Sequence, residues 1–386
     1  MLQGTHEITP ADVICLSHLR WNFVFQRPQH LLTRCARERR VFFVEEPLFS
    51  EGTREPALEI TRTDGVIVAV PQLPNGMSEA ECVAAQRALI DQLIDEEEVV
   101  DYLLWYYTPM ALTFTDHLSP RAVVYDCMDE LSAFKGASTQ LKIREAEILS
   151  RASLVLTGGQ SLFEAKRHQH HNIHPFPSSV DVAHFAQARQ ITVDPEDQAN
   201  IPHPRLGYFG VIDERMDLPL LAGVADSRPD WHLIMLGPVV KIDPAVLPAR
   251  PNIHYLGSKS YNDLPRYVAG WDVALLPFAR NEATRFISPT KTPEYMAAGK
   301  PVVSTSIRDV VRPYGHQGLV RIADEVPEFV RACALAMAED PVHRTTQADA
   351  FLRKTSWDGT WSRIRRLVDE ALLGPADNSL AEGASA

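Results

Sequence analysis

The hydrophobic positions of the chain form short apolar runs that alternate with amphipathic stretches. Runs such as 12–16, 102–106 and 273–276 have the length of buried strands, whereas 140–151 and 357–373 repeat apolar residues at helical spacing. Short strands that alternate with helices are typical of a mostly parallel sheet covered by helices on both faces. The pattern therefore predicts an α/β protein.

The alternation occurs twice, and a polar stretch with three prolines at 186–204 separates the two series. A chain of 386 residues is also too long for one compact core. We therefore predict two doubly wound, Rossmann-like domains that face each other across a cleft, with ligands at the carboxyl ends of the strands. The predicted division is a first domain at 1–185, a linker at 186–204, a second domain at 205–345, a helical segment at 346–373 and a disordered tail at 374–386.

Composition and charge exclude several classes of function. The net charge of −12 argues against nucleic-acid binding through bulk charge. The five cysteines form no Cys-x-x-Cys pair and are odd in number, as expected for reduced thiols in a cytosolic protein. We see no secretory leader at the N-terminus and no apolar run near the roughly 20 residues that span a bilayer. We expect a soluble, cytoplasmic protein.

The most informative segment runs from residue 288 to residue 305. Ser288 is a good N-cap, Pro289 suits the first helical position, and Gly299 can end the helix. The start of this predicted helix carries Lys291 and Glu294. Free N–H groups, the helix dipole and a cation would attract a phosphate, and the carboxylate could accept hydrogen bonds from ribose. The alternative is a well-capped helix with an ordinary surface pair at i,i+3.

The loop that follows the first strand of the second series, 210–217, is another candidate. Gly210 would let the backbone approach a ligand closely, and Arg215 could pair with a diphosphate from the side opposite Lys291. The alternative for Arg215 is a solvated surface arginine.

In the first series, residues 17–30 join a strand to a helix and contain Trp21, Arg27 and His30. An indole can stack on a sugar, and the other two side chains can bind hydroxyl or phosphate groups. Equally, the aromatic side chains of this stretch could belong to a core or a domain interface. At a later strand end, Asp126 and Asp129 are two carboxylates, of which we favour Asp126 as the base that deprotonates an acceptor hydroxyl. A turn cap is the alternative.

The second half resembles a known family. The segment Pro-x-Lys-x-x-Glu-Tyr-x-Ala-x-Gly-x-Pro-Val-Val at 289–303, together with Leu-Gly-Pro at 236–238 and Asn-Ile-His-Tyr-Leu-Gly at 252–257, is similar to retaining GT-B glycosyltransferases of the family-four, or group 1, type. Ser-Trp-Asp at 356–358 and the helix after it resemble the segment that crosses back to the first domain in that family. The stretch 17–30 resembles a bacterial subgroup that makes cell-surface polysaccharides.

The resemblance implies transfer of a sugar from a nucleoside diphosphate sugar to a saccharide or lipid-linked acceptor, with retention of configuration and without a metal or other cofactor. The donor would bind to the second domain and the acceptor to the first. The implied donor-nucleotide residues are Gly210, Arg215, Ser288, Pro289, Thr290, Lys291 and Glu294. The candidate catalytic residues are Asp126, Arg215 and Lys291, and the candidate acceptor residues are Trp21, Arg27 and His30.

One departure and two alternatives accompany the resemblance. The family often has two glutamates eight positions apart, and the first position is Phe286 here, which leaves the contact with the donor sugar unassigned. The alternatives are a sugar-nucleotide epimerase of the same fold and a catalytically silent nucleotide-binding scaffold in polysaccharide assembly.

The arginines that end the first helix raise the question of membrane contact. They are solvated or touch anionic lipid, which would place the protein on the inner face of the plasma membrane. These residues are Arg34, Arg37, Arg39 and Arg40.

Overall fold

The computed structural model describes residues 10–373. Two sequence predictions, the lack of a secretory leader at the N-terminus and a disordered tail at 374–386, concern residues outside this range. The described chain contains two separate sheets, each with helices on both of its faces. The predicted α/β class with two doubly wound parallel sheets is confirmed.

The first sheet has nine strands in the order β3-β5-β2-β1-β6-β7-β8-β9, with β4 paired to β5. The strands are β1 (Asp12–Ser17), β2 (Val41–Glu45), β3 (Leu48–Ser50), β4 (Ala57–Thr63), β5 (Val66–Pro74), β6 (Tyr102–Tyr106), β7 (Ala122–Cys127), β8 (Leu154–Thr157) and β9 (Ile173–Pro175). All neighbours are parallel except β4 and β5, which form a hairpin around Asp64 and Gly65. These two residues have φ of 52° and 80°, as a two-residue hairpin turn requires.

The helices of the first domain lie on both faces of this sheet and largely follow the predicted spacing. They are α1 (Arg27–Cys35), α2 (Glu79–Glu96), α3 (Leu112–Thr115), α4 (Gln140–Arg151) and α5 (Gln160–Lys166). The start of α2 shows how the local sequence sets a boundary: the Ser78 side chain accepts from the Glu81 N–H, and the Glu81 carboxylate accepts from the Ser78 N–H. This reciprocal cap satisfies two N–H groups that the helix leaves free.

The second sheet has six parallel strands in the order β12-β11-β10-β13-β14-β15. They are β10 (Arg205–Phe209), β11 (His232–Leu236), β12 (Ile253–Gly257), β13 (Val273–Leu276), β14 (Val302–Ser304) and β15 (Arg321–Ile322). The helices that join or precede them are α6 (Val182–Ala186), α7 (Glu196–Ala199), α8 (Leu218–Ser227), α9 (Leu264–Ala269), α10 (Lys291–Ala297), α11 (Arg308–Val310), α12 (Val326–Met337) and α13 (Pro341–Leu352). The strand order reverses between β10 and β13, which is where a sheet of this topology opens a crevice for ligands.

The chain passes from the first domain to the second earlier than the sequence predicts. Phe176 packs in a core beneath the first sheet, whereas Val180 and Phe185 already pack in the core of the second domain. The predicted linker at 186–204 lies on the second domain, where the Gln198 side chain accepts a hydrogen bond from the Trp271 indole N–H at 3.0 Å. Most of the stretch is exposed on the surface of that domain, and the buried Gln198 side chain satisfies an indole within it.

The last described helix, α14 (Trp357–Leu373), packs on the first domain. Trp361, Ile364 and Val368 are buried in the same core as residues of β1 and β7. The return begins later than the predicted boundary at 346, because Ala348 and Leu352 of α13 still pack in the second domain. The helical spacing predicts an apolar side of α14. This side packs on the first domain and connects the last described helix to it.

We expect Ile364→Ala to lower the free energy of unfolding by about 2–5 kcal/mol, because the side chain is 0% exposed and its loss leaves a cavity. Urea denaturation followed by circular dichroism would measure the change. Arg366→Ala on the opposite side of α14 is the matched control: this side chain is 73% exposed, and its replacement should change the same quantity by less than about 0.5 kcal/mol. Equal effects of the two substitutions would contradict the packing of α14.

Candidate active site

The carboxyl ends of the two sheets face each other across a cavity of about 390 Å³. Loops after β1 and β7 form the wall from the first domain, and loops after β10, β11, β12 and β13 form the wall from the second. The polar and aromatic side chains that matter for the site are Trp21, Phe25, Arg27, Asp129, Arg215, Tyr261, Lys291 and Glu294. The cavity therefore lies at the switch points where doubly wound sheets bind their ligands.

The helix at the centre of the second wall begins at Lys291, not at Pro289. Thr290 is the residue before it and makes no side-chain cap, so the predicted N-cap at Ser288 is wrong. The Thr292 N–H bonds to the carbonyl of Pro289 at 3.3 Å, while the Ser288 carbonyl accepts from the Ser178 hydroxyl of the interdomain stretch at 2.9 Å. Ser288, Pro289 and Thr290 are thus a turn that lines the cavity.

Lys291 and Glu294 stand on the first turn of α10 and point into the cavity. Glu294 is 5% exposed, and its Oε2 atom is buried without a hydrogen-bond partner among the described residues. Burial raises the pKa of Glu294 and lowers the pKa of Lys291, and the opposite charge of each neighbour offsets part of the other's shift. They are not the surface pair of the alternative interpretation. A buried acceptor and a nearby cation without direct partners are suited to a ligand that brings both hydroxyl groups and negative charge.

Two glycines bring the backbone of the second domain close to the Lys291 side chain. Gly210, with φ of 134°, has no room for a side chain, because an added Cβ would lie 2.1 Å from Cε of Lys291. Gly237, with φ of 137°, would place a Cβ 1.9 Å from the carbonyl oxygen of Gly210. These strand ends therefore require glycine both for backbone angle and for space. The wall of the cavity beside Lys291 is therefore formed by backbone atoms that no side chain covers.

Arg215 lines the cavity opposite α10 but is not free. Its Nε and Nη2 atoms donate to the buried Asp213 carboxylate at 3.0 and 2.7 Å. Asp213, which the sequence did not single out, holds the guanidinium in place and raises the pKa of Arg215 against the effect of burial. Phe134 of the first domain lies against it, with the ring centroid 5.6 Å from Cζ. Arg215 thus faces the cleft as an oriented cation.

Asp126, the candidate base, lies where the hydroxyl of an acceptor substrate cannot reach it. It is 0% exposed, lies within β7 rather than beyond it, and accepts from the Nε atom of Arg27 at 3.0 Å. Asp129 is the carboxylate past the strand end that lines the cavity. Burial raises its pKa, while the charge of Arg215 opposes the shift. β7 continues through Cys127, so Asp126 lies inside the strand and Asp129 is the aspartate beyond its end.

The three candidate acceptor residues are more buried than their residue types suggested. The Trp21 ring packs edge-on against Phe43 at 5.0 Å and reaches the cavity with one side. Arg27 donates from Nη1 to the Phe176 carbonyl at 2.8 Å, so it closes the floor of the cavity. His30 stacks on Trp357 of α14 at 4.5 Å and does not line the cavity. Burial lowers the pKa of His30 to about 3, which keeps it neutral.

Tyr261 and Phe25 are cavity residues that the sequence pointed to weakly or not at all. Phe25 belongs to the stretch 17–30, whose aromatic side chains could equally belong to a core or a domain interface. Tyr261 follows β12 in Ser-Tyr-Asn, which matches no motif. Phe286, at the position of the missing glutamate, packs against a core of the first domain across the cleft.

The arginines at the end of α1 mostly bind other parts of the protein. Arg34 donates to Asp358 at 2.7 Å, Arg39 donates to Asp369 at 2.9 Å, and both acceptors belong to α14. These contacts account for the charges of Arg34 and Arg39, whereas Arg37 is 68% exposed. None of the helices within 10–373 is long and apolar enough to cross a membrane. In the same range, no group of three His, Cys, Asp or Glu side chains could hold a metal ion.

Part of the second domain matches a known family. Residues 204–339 match the family model described as Glycosyl transferases group 1. One relative is TuaH of Bacillus subtilis (strain 168), which is named as a putative teichuronic acid biosynthesis glycosyltransferase. It is 24% identical in an alignment of 260 residues that covers 61% of this chain. The match spans 64% of the length of TuaH, less than two thirds.

Two solved structures share the fold over nearly the whole chain. Sucrose-phosphate synthase from Thermosynechococcus elongatus has a TM-score of 0.71 at 13% identity and covers 95% of this chain and 100% of its own. Anabaena HepE in complex with UDP-glucose has a TM-score of 0.67 at 14% identity and covers 93% of this chain and 99% of its own. The chain therefore has the GT-B fold, and its second domain is similar to the glycosyl transferases group 1 family over residues 204–339.

Proposed function

We propose that this protein transfers a sugar from a nucleoside diphosphate sugar to a saccharide or lipid-linked acceptor in polysaccharide or glycoconjugate biosynthesis. The observation that carries the proposal is the first turn of α10, where Lys291 and Glu294 face the cavity between two Rossmann-like domains and Oε2 of Glu294 has no hydrogen-bond partner among the described residues. HepE, which shares the fold, is in complex with UDP-glucose in one structure and with UDP and glucose in another. This supports a donor of the same chemical class.

The donor would lie along the second domain. Its diphosphate fits beside Gly210, between the ammonium of Lys291 and the guanidinium of Arg215, and Glu294 would accept hydrogen bonds from the ribose hydroxyls. As the bond between the sugar and the diphosphate breaks, negative charge builds up on the leaving oxygen, and two oriented cations in a cavity shielded from water stabilise it. Asp213 keeps Arg215 in this position and also prevents it from swinging into solvent.

The acceptor would enter from the first domain. Asp129 replaces Asp126 as the carboxylate that could take the proton of the acceptor hydroxyl, since only Asp129 lines the cavity. Its raised pKa would make it a better proton acceptor than an exposed aspartate. Trp21 and the neighbouring aromatic residues offer an apolar face of the kind on which sugar rings stack.

Three finer points rest on the family resemblance and on the charges of the cavity. We propose that the configuration of the donor sugar is retained and that Lys291, Arg215 and the start of α10 supply the charge stabilisation without a metal. The relationship to TuaH supports a cell-envelope polysaccharide as the product. A cytoplasmic location with peripheral contact to the plasma membrane stays a prediction.

Removing the Lys291 ammonium should abolish most of the activity. We expect Lys291→Ala to lower kcat by about 10²–10³, the size of effect seen when one preorganised charge-stabilising group is removed from an active site. Release of nucleoside diphosphate from UDP-, GDP- and ADP-sugars, with product analysis by mass spectrometry, would measure it. Lys354→Ala, an exposed lysine outside the cavity, is the matched control. Normal turnover in Lys291→Ala would refute the site, and donor conversion without an acceptor would indicate an epimerase.

Nucleotide affinity should depend on pH in a way that Lys291 determines. Burial lowers the pKa of this lysine, so it loses its charge on the alkaline side of neutrality, whereas a bound diphosphate would favour the charged form. Binding then takes up a proton, and the affinity for UDP should fall as pH rises, by up to about tenfold per pH unit. Isothermal titration calorimetry between about pH 7 and about pH 9.5 measures this slope. In Lys291→Arg the charge persists, and the slope should disappear; an unchanged slope would assign the titration to another group.

A further inference from the structure

A tyrosine of the second domain presents an unused hydroxyl to the cavity. Tyr261 lies in the loop after β12 and lines the cavity together with Glu294. Its Oη atom is buried and has no hydrogen-bond partner among the described residues. A phenol that loses its contact with water and gains no partner costs roughly 1–3 kcal/mol. Such a group is expected where a ligand completes the hydrogen bond.

The ring of Tyr261 is held from two sides. The Phe25 ring stacks on it with the centroids 4.5 Å apart, and the His184 ring stacks on it at 4.2 Å with an interplanar angle of 9°. Two rings stacked in this way on one phenol cannot share a face, so Phe25 and His184 lie on opposite faces of it. His184 also donates from Nε2 to the carbonyl of Tyr261 at 3.0 Å. The hydroxyl is thus aimed by a rigid sandwich, not by a mobile side chain.

The second unpartnered atom of the cavity is Oε2 of Glu294. Tyr261 and Glu294 line the same cavity, and the two unpartnered atoms are a donor and an acceptor. Burial, with a smaller contribution from the negative charge of Glu294, raises the pKa of Tyr261, so the phenol keeps its proton. A ligand hydroxyl bound between the two side chains could donate to the carboxylate and accept from the phenol at once.

We propose that Tyr261 is a ribose-binding residue whose hydroxyl, together with Glu294, binds the diol of the donor nucleotide and selects ribonucleotides over their deoxy counterparts. The inference rests on the proposed function, because it needs a nucleotide in this cavity. It adds a contact that the motif around Glu294 does not contain, from a loop about 30 positions earlier in the chain.

The same arrangement connects nucleotide binding with the position of the first domain. Phe25 belongs to the loop after β1 and is the residue of that domain that stacks on Tyr261. This loop therefore supplies one of the two rings that hold the phenol, and His184 supplies the other. A nucleotide bound to Tyr261 therefore favours the arrangement in which the two domains are close, and this arrangement also shields the donor from water.

The experiment compares the wild-type protein with Tyr261→Phe, which keeps the stacked ring and removes only the hydroxyl. UDP, GDP and ADP are titrated by calorimetry, and the tightest of them is then compared with its 2′-deoxy and 3′-deoxy forms. We expect the substitution to weaken the ribonucleotide roughly tenfold and to reduce the preference for ribose over one of the deoxy forms by a similar factor. The unfolding temperature without nucleotide should not fall, because no protein contact is lost.

The matched control is Tyr255→Phe, whose hydroxyl donates to the Pro248 carbonyl at 3.3 Å and does not line the cavity. This variant should keep the wild-type ribose preference. If Tyr261→Phe binds ribo- and deoxyribonucleotides with the wild-type ratio, the assignment of Tyr261 is wrong even though the nucleotide site stands. If the wild-type protein binds none of the three nucleotides, the proposed function itself fails and this inference fails with it.

Discussion

The arrangement of the cavity depends on two opposite charges that are buried on one turn of α10 without an ion pair between them. Burying a carboxylate and an ammonium costs free energy unless a ligand supplies partners for them. The surrounding residues therefore hold both groups in position. Gly210 lets the backbone pass beside Lys291, and Gly237 lets one strand end approach the next. Tyr261 extends the polar surface around Glu294. These unpartnered groups lower the stability of the protein, and they leave a site that can bind a ligand with negative charge and hydroxyl groups.

The two domains contribute differently to this site. The second supplies nearly all the groups suited to a nucleotide, whereas the first supplies Asp129, aromatic rings and the floor formed by Arg27. Contacts across the cleft are of two kinds: the buried Asp309 carboxylate accepts from the buried Ser161 N–H at 3.0 Å, whereas Arg312 pairs with the partly exposed Glu164 at 2.9 Å. The exposed pair exchanges with water at little cost, whereas the buried carboxylate needs a partner and holds the two domains together. The packing of α14 on the first domain is a further connection between the two halves of the chain.

Much of the fold could be predicted because its signals are local. The apolar runs of β6, β13 and β14 and the helical spacing of α4 and α14 are found where the sequence predicts them, since burial on a parallel sheet or along one helix side leaves a repeated pattern. The errors have local causes as well. The helix after Ser288 starts late because the Ser288 carbonyl is taken by Ser178, a residue more than a hundred positions away. The predicted linker is misplaced because a polar stretch between two domains and a polar stretch packed on one domain have the same composition.

The sequence by itself determined the α/β class, the two domains and the segment that carries Lys291 and Glu294, because each of these depends on neighbouring residues. Tertiary structure alone decided which of two aspartates reaches the cavity, that Arg27 and His30 are buried, and that Tyr261 lines the same cavity as Glu294. Whether a side chain faces solvent, a core or a ligand depends on which distant segments pack around it. That packing is set by the whole fold, so no motif at these positions could reveal it.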